Sequence, residues 1–275
     1  MRNWTVFTLN ENMKAKKSLG QNFLSSNTVA KDIVRAARIS KEDTVLEIGP
    51  GRGIMTGELL LCAKKIIAVE KDAELVVHLN EKFKKEIRDG KLILVSKDIL
   101  KFNINEYKKD IGGSYKIVAN IPYYITGLII KYIFSQSLLP ESTTMLVQKE
   151  VALRIVARDK KESILSNSIK VYGTPEYIKS VPAKYFSPKP KVDSAVISIK
   201  NISRDVFANK KEEVEFFDVI KAGFSHKRKL LASNLRGLYG KDKTTDAFGL
   251  CHIDLKSRAE DLSVSEWICV VRSIH

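Results

Sequence analysis

Three glycines at alternating positions follow a short β-branched run, and this loop is the first stretch whose residues could do chemistry. Gly49, Gly51 and Gly53 come directly after the predicted strand Thr44–Ile48. Glycines let the backbone approach a ligand where a side chain would clash, and in open α/β sheets ligands bind beyond the carboxyl ends of the strands. The loop therefore predicts a cofactor site, although a glycine-rich turn alone can also be a simple connection.

Two acids end the next two predicted strands and extend this cofactor site. Glu70 closes the run IIAVE, where a carboxylate can accept hydrogen bonds from ribose hydroxyls. Asp98 ends the following run, where it can accept from the exocyclic amine of an adenine. Taken alone, Glu70 is better explained as a cap of the helix at 72–88, and Asp98 is as well explained as a helix N-cap or turn residue. Together with the loop, they favour a cofactor that contains adenosine.

These residues do not separate NAD from S-adenosylmethionine. The dinucleotide fingerprint GxGxxG requires a glycine three residues after its second glycine. Here the third residue after Gly53 is Thr56, and Gly57 follows one position late. The spacing therefore disfavours a dinucleotide.

The segment from Asn120 to Tyr123 follows the fourth predicted strand and could carry the reaction. The Asn120 side-chain oxygen and the Ile121 carbonyl can accept hydrogen bonds from an exocyclic amine, which leaves its lone pair free to attack. Pro122 fixes φ and removes a donor, and Tyr123 offers a face on which a base can stack. A sulfonium methyl donor needs no strong base, so positioning and electrostatics suffice. The segment predicts methyl transfer to a base.

A second aromatic residue, Phe186, lies in a proline-rich segment. A flipped base could be held between Tyr123 and Phe186, as base-modifying enzymes hold an extruded nucleotide. The same segment could equally be a proline-braced loop that covers an apolar edge. Both alternatives remain open from the sequence.

Alternating strand and helix patterns position these residues over the first two-thirds of the chain. The predicted strands are Thr44–Ile48, Lys65–Glu70, Leu92–Val95, Lys116–Ala119 and Thr143–Val147, and the predicted helices cover residues 27–39, 54–64, 72–88, 125–135 and 149–158. Such alternation predicts a mostly parallel sheet covered on both faces.

The pattern changes after residue 160. Ile164–Tyr172, Tyr177–Val181 and Val192–Ile199 look like strands with short connections, which predicts an antiparallel end to the sheet. Residues 212–224, 228–238 and 263–273 look helical. We therefore predict an α/β domain over residues 1–201 and a smaller all-helical domain over residues 202–275.

The chain is strongly basic, which predicts a polyanionic partner. Its 275 residues carry 47 Lys and Arg against 32 Asp and Glu, a net charge of +15. Residues 1–200 hold 34 basic and 21 acidic side chains, whereas residues 201–275 hold 13 and 11. Nucleic acid is the leading candidate and an anionic membrane surface the second. We expect the larger domain, or the cleft beside the smaller one, to meet the polyanion.

Cysteine, histidine and hydropathy patterns indicate which cellular compartment and which kinds of site to expect. Cys62, Cys251 and Cys269 are odd in number and form no CxxC pair, and the four histidines show no ligand spacing. We expect no disulfide framework, no metal and a reducing, cytoplasmic compartment. The most apolar stretch, residues 121–134, is too short to span a membrane, and we expect a monomer.

Motifs spread over nearly the whole chain resemble the small-subunit ribosomal RNA adenine N6-dimethyltransferases. The resemblance is carried by Lys17–Leu24 (KSLGQNFL), the loop EIGPGRG at 47–53, Glu70, Asp98, Asn120–Tyr123, Val147–Ala152, residues 186–196 (FSPKPKVDSAV), Phe224–Leu230 and Arg258–Ser263. Three positions depart from the family pattern: Ile121 replaces Leu, residues 161–168 lack a Tyr-Gly pair, and Ala259 replaces Pro.

The resemblance implies a Rossmann-like, class I S-adenosylmethionine-dependent methyltransferase domain with a small helical domain behind it. It implies dimethylation of two adjacent adenines near the 3′ end of small-subunit rRNA, acting on a pre-ribosomal small subunit. Carried over by position, the cofactor contacts are Asn22, Leu24, Gly49, Glu70, Asp98 and Asn120, and the adenine is held by Asn120, Ile121, Pro122, Tyr123 and Phe186.

Three other functions compete with this one. The macrolide-resistance enzymes that methylate large-subunit rRNA share the cofactor loop and the NIPY segment. A non-catalytic nucleic-acid-binding factor could use the same scaffold. A nicotinamide oxidoreductase lacks support, because no His or Lys stands where hydride chemistry would need one.

Two basic segments are expected to contact phosphates. Lys14, Lys16 and Lys17 precede the QNFL stretch, and His226–Lys229 is predicted to open a helix of the small domain. Phosphate contacts set affinity and register but carry little sequence information.

Overall fold

The computed structural model describes residues 15–16 and 19–275. Lys14, Lys17 and Ser18, which were named above, lie outside the described residues. Nine strands run through the described part: β1 (Phe23–Leu24), β2 (Thr44–Ile48), β3 (Lys65–Glu70), β4 (Leu92–Ser96), β5 (Lys116–Asn120), β6 (Ser142–Gln148), β7 (Thr174–Val181), β8 (Phe186–Ser187) and β9 (Ser194–Lys200).

Twelve α-helices connect or follow the strands of the described part. They are α1 (Asn27–Ala36), α2 (Ile54–Cys62), α3 (Ala73–Lys82), α4 (Lys84–Arg88), α5 (Lys108–Ile111), α6 (Thr126–Ser135), α7 (Lys149–Ile155), α8 (Ile164–Lys170), α9 (Lys210–Gly223), α10 (Leu231–Tyr239), α11 (Lys241–Leu250) and α12 (Val264–Ile274).

Seven strands form one sheet in the order β4-β3-β2-β5-β6-β9-β7. The five strands from β4 to β6 are parallel, and β9 runs antiparallel to both β6 and β7. The β2 strand, rich in β-branched and apolar residues, is buried along its whole length, as expected for a parallel strand covered on both faces. The predicted α/β, Rossmann-like class is confirmed, with helices α9 to α12 following the last strand.

The strand register places the predicted site residues at one edge of the sheet. Ile48 pairs with Val69 of β3 and with Ala119 of β5, and Glu70 pairs with Ser96 of β4. The chain therefore leaves β2, β3, β4 and β5 at nearly the same level. The order reverses between β2 and β5, and open α/β sheets bind ligands at such a switch point.

One hydrophobic cluster joins the sheet to the C-terminal helices. It contains Ile117 and Ile197 of the sheet together with Phe216, Phe248 and Trp267 of the helices, all at most 1% exposed. A second cluster lies between the sheet and helices α1 and α2. The helices after β9 are thus packed directly on the sheet.

The prediction of a strand over Ile164–Tyr172 is wrong, because Ile164–Lys170 is the helix α8. Ser163 starts this helix with a capping box: its Oγ accepts from the Ser166 backbone N–H, and the Ser166 Oγ accepts from the Ser163 N–H. These two bonds satisfy donors that a helix start leaves open. An alternation of apolar residues does not reveal them.

Other boundaries in the helical parts also differ from the predictions. The predicted helix 72–88 is divided at Phe83 into α3 and α4. Helix α10 begins at Leu231, so Lys227, Arg228 and Lys229 lie in the exposed turn before it and not in a helix. Helix α11 was not predicted, since only Thr244, Ala247 and Phe248 of its ten residues are buried.

The expectation of no disulfide is wrong for one pair of cysteines. Cys251 follows α11 and Cys269 lies in α12, and the packing of these helices brings their Cα atoms to 5.8 Å, where the two sulfurs are bonded. This proximity arises from tertiary structure and leaves no trace in cysteine spacing. The cysteine argument for a reducing compartment is thereby removed.

Residues 15–16 and 19–275 contain neither a membrane-spanning helix nor a cluster of metal ligands. No helix there combines the length and apolar character needed to cross a bilayer. No group of three or more His, Cys, Asp or Glu side chains in the same residues could hold a metal ion.

Ser163→Ala should destabilise the protein by about 1 kcal/mol, the usual cost of removing an N-cap. The control is Ser168→Ala in the same helix, which removes a hydroxyl without a cap and should change stability by less than about 0.5 kcal/mol. Urea unfolding of both variants measures the difference. Equal midpoints would contradict the capped helix.

Candidate functional site

The carboxyl ends of β2 to β5 open into a cleft, here called the edge cleft. It is bounded by the glycine loop, by the segment after β5 and by the segment before α1. Its walls contain Leu19–Phe23, Ile48, Gly49, Gly51, Val69–Lys71, Leu75, Lys97–Leu100, Asn120–Ile125 and Ile129. Most residues predicted for a cofactor or a base thus lie around one cavity.

The glycine loop brings bare backbone to the floor of the edge cleft. Gly49 has φ +69°, and a Cβ there would lie 3.3 Å from the Asn120 carbonyl oxygen. Gly51 has φ +59°, and its N–H donates to Glu70 Oε2 at 3.1 Å. Only glycine adopts these conformations at little cost. The loop is therefore held close to the ends of β3 and β5, and its backbone at Gly49 and Gly51 remains accessible to a ligand in the cleft.

Glu70 is held by three backbone amides at the end of β3. Its Oε1 accepts from the N–H groups of Lys71 and Asp72, both at 2.9 Å, and its Oε2 accepts from Gly51. Burial raises the pKa of Glu70, and these three hydrogen bonds, which lower the pKa, offset only part of that rise. With two of these bonds on Oε1 and one on Oε2, it is Oε2 that keeps a lone pair for a further donor in the cleft.

Asp98 follows β4 and faces a lysine across the cleft wall. The Lys71 ammonium lies 2.8 Å from Asp98 Oδ2, and Asp98 Oδ1 accepts from the Leu100 N–H at 3.0 Å. The Lys71 hydrogen bond lowers the pKa of this carboxyl. Asp98 is therefore an ionised acceptor beside the apolar residues Ile99 and Leu100.

The Asn120 amide is oriented by the segment before α1. Its Nδ2 donates to the Asn22 carbonyl at 3.4 Å. Among the described residues no hydrogen bond reaches Asn120 Oδ1, so this oxygen is left as an acceptor at the cleft. Tyr123 also lines the cleft, with its hydroxyl 2.5 Å from Ser194 Oγ.

The segment before α1 is tied to the start of α3. Gln21 Nε2 donates to Asp72 Oδ2 at 2.9 Å, and the Lys16 ammonium lies 2.7 Å from Asp72 Oδ1. Gly20 lies against Tyr124, since a Cβ on Gly20 would come within 2.8 Å of that ring. Residues 19–23 thus form one side of the edge cleft.

Comparison with known proteins identifies the family. The sequence profile described as ribosomal RNA adenine dimethylase matches residues 12–275. The chain belongs to the ribosomal RNA adenine dimethylase family. It is 40% identical over 262 residues to the ribosomal RNA small subunit methyltransferase A of Fusobacterium nucleatum, covering 94% of this chain and 97% of that one. It is 41% identical over 257 residues to the protein of that name from Dehalococcoides mccartyi, covering 93% and 87%.

Solved structures of two other enzymes share the fold of this dimethylase. The 23S rRNA methyltransferase ErmE superposes with a TM-score of 0.74 at 22% identity, over 92% of this chain and 99% of that one. A dimethyladenosine transferase from Plasmodium falciparum gives 0.72 at 22% identity, over 90% and 95%. Both confirm the Rossmann-like class.

Three residues predicted for the dimethylase site do not line the edge cleft. Leu24 is 5% exposed and pairs with Phe186 across β1 and β8. Phe186 is 4% exposed and packs in the cluster against α1 and α2. Phe186 therefore presents little surface on which a base could stack, and the sandwich with Tyr123 is not formed in this structure. Gly53 lies behind the loop, against Phe83 and Leu79.

The basic residue Lys16 also differs from its expected role. Its ammonium pairs with Asp72 and with Glu74 at 3.0 Å, and these contacts raise its pKa. Lys16, whose backbone N–H also donates to Gln21, is thus tied to the start of α3 and is not available as a free phosphate contact. Lys71 and Lys97, which were not predicted, do line the edge cleft, because the β3–α3 and β4–α5 connections begin there.

Sequence reasoning also gave no role to Glu47, the residue before Ile48 in β2. Its side chain is fully buried, and neither carboxylate oxygen has a hydrogen-bond partner within the described residues. Burial raises the pKa of Glu47 to about 8. A buried acid under the cofactor loop cannot be inferred from a run of strand residues.

Gly53→Ala should destabilise the dimethylase by about 1–3 kcal/mol, the cost of a side chain held at a strained φ. Gly53 has φ +75°, and a Cβ there would lie 2.6 Å from the Phe83 ring. The control is Gly57→Ala in α2, where a Cβ meets nothing within 4 Å and should stabilise the helix by about 0.5–1 kcal/mol. Chemical unfolding measures both, and a neutral Gly53→Ala variant would contradict the close packing.

Glu47→Gln should remove a pH dependence of stability. The folded protein keeps the Glu47 proton up to pH about 8, whereas the unfolded chain releases it near pH 4.3. The wild type should therefore lose stability relative to Glu47→Gln as pH rises from 5 to 8, by at most about 1.4 kcal/mol per pH unit. Urea unfolding across this range measures the difference, with exposed Glu81→Gln as the control. Parallel curves for wild type and Glu47→Gln would refute the buried, protonated acid.

Proposed function

We propose that this protein transfers methyl groups from S-adenosylmethionine to the N6 amines of two adjacent adenines near the 3′ end of small-subunit (16S) rRNA during ribosome biogenesis. One observation carries the proposal: Asn120 to Tyr123 and the loop–Glu70–Asp98 set line the same cleft. Relatives about 40% identical over most of the chain, named as small-subunit methyltransferases, support the choice of target.

The residues around the edge cleft suit S-adenosylmethionine in their open backbone and in their hydrogen-bond acceptors. Gly49 and Gly51 offer backbone where a side chain would fill the floor. Glu70 Oε2 would accept from a ribose hydroxyl, and Asp98 from the adenine amine beside Ile99 and Leu100. Asn22 and Asn120 would contact the methionine end. When bound, the cofactor supplies an electrophilic methyl group on a positively charged sulfur.

The residues after β5 prepare the target amine. Asn120 Oδ1 is turned away from the Asn22 contact and would accept one N–H of the amine, and the Ile121 carbonyl would accept the other. These acceptors favour a tetrahedral nitrogen, whose lone pair is then available for attack. Tyr123 would stack on the base, while its hydroxyl stays on Ser194. No strong base is required, so catalysis is mainly positioning.

Leu24, Gly53 and Phe186 enter this proposal as positioning residues. Leu24 and Phe186 pair in the small β1–β8 sheet and support Asn22 and Phe23 from behind. Gly53 lets the loop pack on α3. Their substitution would displace the cleft wall and would not remove a direct ligand contact.

We also propose how the parts and partners are arranged. Residues 1–201 would bind the cofactor and the target base, and helices within 202–275 would assist rRNA binding. The substrate would be a pre-ribosomal small subunit in the cytoplasm, met by a monomer. The net charge of +15 is consistent with a large RNA partner.

One labelling experiment distinguishes the proposed function from its two rivals, which are methylation of large-subunit rRNA and non-catalytic RNA binding. Methyl-labelled cofactor is offered with unmethylated small subunits and, separately, with large subunits. Label in small-subunit rRNA alone supports the proposal. Label in large-subunit rRNA would favour the macrolide-resistance type, and RNA binding without label in either would favour a non-catalytic factor.

Asn120→Ala should lower methyl transfer at least about 100-fold, since removal of one preorganised polar group costs that much in comparable sites. RNA affinity should stay within about twofold, because the reacting amine is the only part of the RNA that Asn120 would contact. The control is Asn80→Ala on α3, outside the edge cleft. Turnover with labelled cofactor and filter binding measure the two effects. Retained turnover in Asn120→Ala would overturn the assigned role.

A further inference from the structure

A second cleft of about 700 Å³ opens between α6, α8 and α9. We call it the interhelical cleft. Its walls include Ile130 and Lys131 of α6, Ile164 of α8, Val214 and Phe217 of α9, and Lys227 in the turn after α9. Within the described residues, the two clefts share no lining residue, so methyl transfer as proposed leaves this cavity without a role.

The inner wall of the interhelical cleft is aromatic and apolar. Tyr172 stacks on Phe134 with ring centroids 4.5 Å apart, and Phe217 lies over Tyr172 at 6.1 Å. Ile164 and Val214 keep 42% and 51% of their surface exposed at the opening. Apolar surface left open in a concave site indicates a ligand with an apolar face.

Each acid in the walls of this cleft is paired with a cation of the chain. Tyr172 donates to Glu213, which is also bound by Lys210 and Arg204. The other pairs are Glu162–Lys170, Asp218–Lys221 and Glu260–Lys161. The acids are thereby neutralised, so they do not repel an anionic ligand.

Three cations at the opening have no such partner. Lys131, Arg154 and Lys227 are exposed and form no ion pair with any described residue. Lys227 continues into the exposed residues Arg228 and Lys229. The opening therefore presents unopposed positive charge above an apolar wall, which suits a group that is anionic at one end and flat and apolar at the other.

We infer that the interhelical cleft holds one unpaired nucleotide of the RNA substrate, separate from the methylated adenines. Its base lies against Phe217, Val214 and Ile164, and its phosphates contact Lys131, Arg154 and Lys227. The identity of that RNA as small-subunit rRNA rests on the proposed function. The cleft would set the register of the RNA so that the target amine reaches Asn120.

Val214→Glu tests the base contact by placing a negative charge on the apolar wall. The affinity for unmethylated small subunits should fall about 5- to 150-fold, the range for one stacked base, while calorimetry with S-adenosylmethionine should show unchanged binding. The control is Leu238→Glu on α10, a more exposed apolar position outside both clefts. Equal affinities of the two variants would overturn the inference.

A triple variant tests the phosphate contacts independently of the apolar wall. Lys131→Ala, Arg154→Ala and Lys227→Ala combined should reduce the slope of log affinity against log salt by up to about 2, from about 0.7 for each single-stranded phosphate contact. The matched control replaces the exposed lysines Lys31, Lys84 and Lys85. A slope equal to that of the control would contradict the assignment of phosphate contacts to these three residues.

Ultraviolet crosslinking of wild type to small subunits identifies the occupant. Nucleotide adducts on peptides that contain Phe217 or Ile164 support the inference, whereas crosslinks from these peptides to a ribosomal protein overturn it. If wild type transfers no methyl group but Val214→Glu still weakens RNA binding, the proposed function fails and this inference stands. If methyl transfer occurs and Val214→Glu binds as wild type does, the inference alone fails.

Discussion

The parallel register of β2 to β5 is the constraint on which the edge cleft depends. Ile48 is level with Val69 and Ala119, and Glu70 is level with Ser96. Gly49, Glu70, Asp98 and Asn120 therefore leave the sheet within a few residues of one another. A shift of one strand by one residue would turn these groups to the other face, so the buried faces of the strands fix the chemistry at their ends.

The sheet supplies only part of the site, and a segment from outside it completes the wall. Residues 19–24 are held at two points, by Gln21 on Asp72 and by the β1–β8 pairing. Between these points, Asn22 accepts from Asn120 and sets the orientation of its amide. The acceptor that would meet the target amine is thus determined jointly by the sheet edge and by the N-terminal segment.

Sequence reasoning succeeded where local pattern and burial agree. The runs that form β2, β3 and β5 are apolar and β-branched because both faces are covered, and their polar ends mark the site. It failed where contacts between distant parts of the chain determine the local structure. The capping box of α8, the Cys251–Cys269 bond and the weakly apolar α11 leave no periodic signal. Phe186 was equally compatible with a base contact and with a covered edge, and only packing showed the second.

Helix α6 physically connects the two clefts. It begins after the Asn120–Tyr123 segment; Ile129 lines the edge cleft, whereas Ile130 and Lys131 line the interhelical cleft. Neighbouring residues of a helix point in different directions, so one rigid element can contact ligands on both sides. Ile129, Ile130 and Ile133 are almost completely buried, which limits movement of the helix. RNA held in the interhelical cleft would therefore be placed at a fixed distance from the pocket that receives the target base.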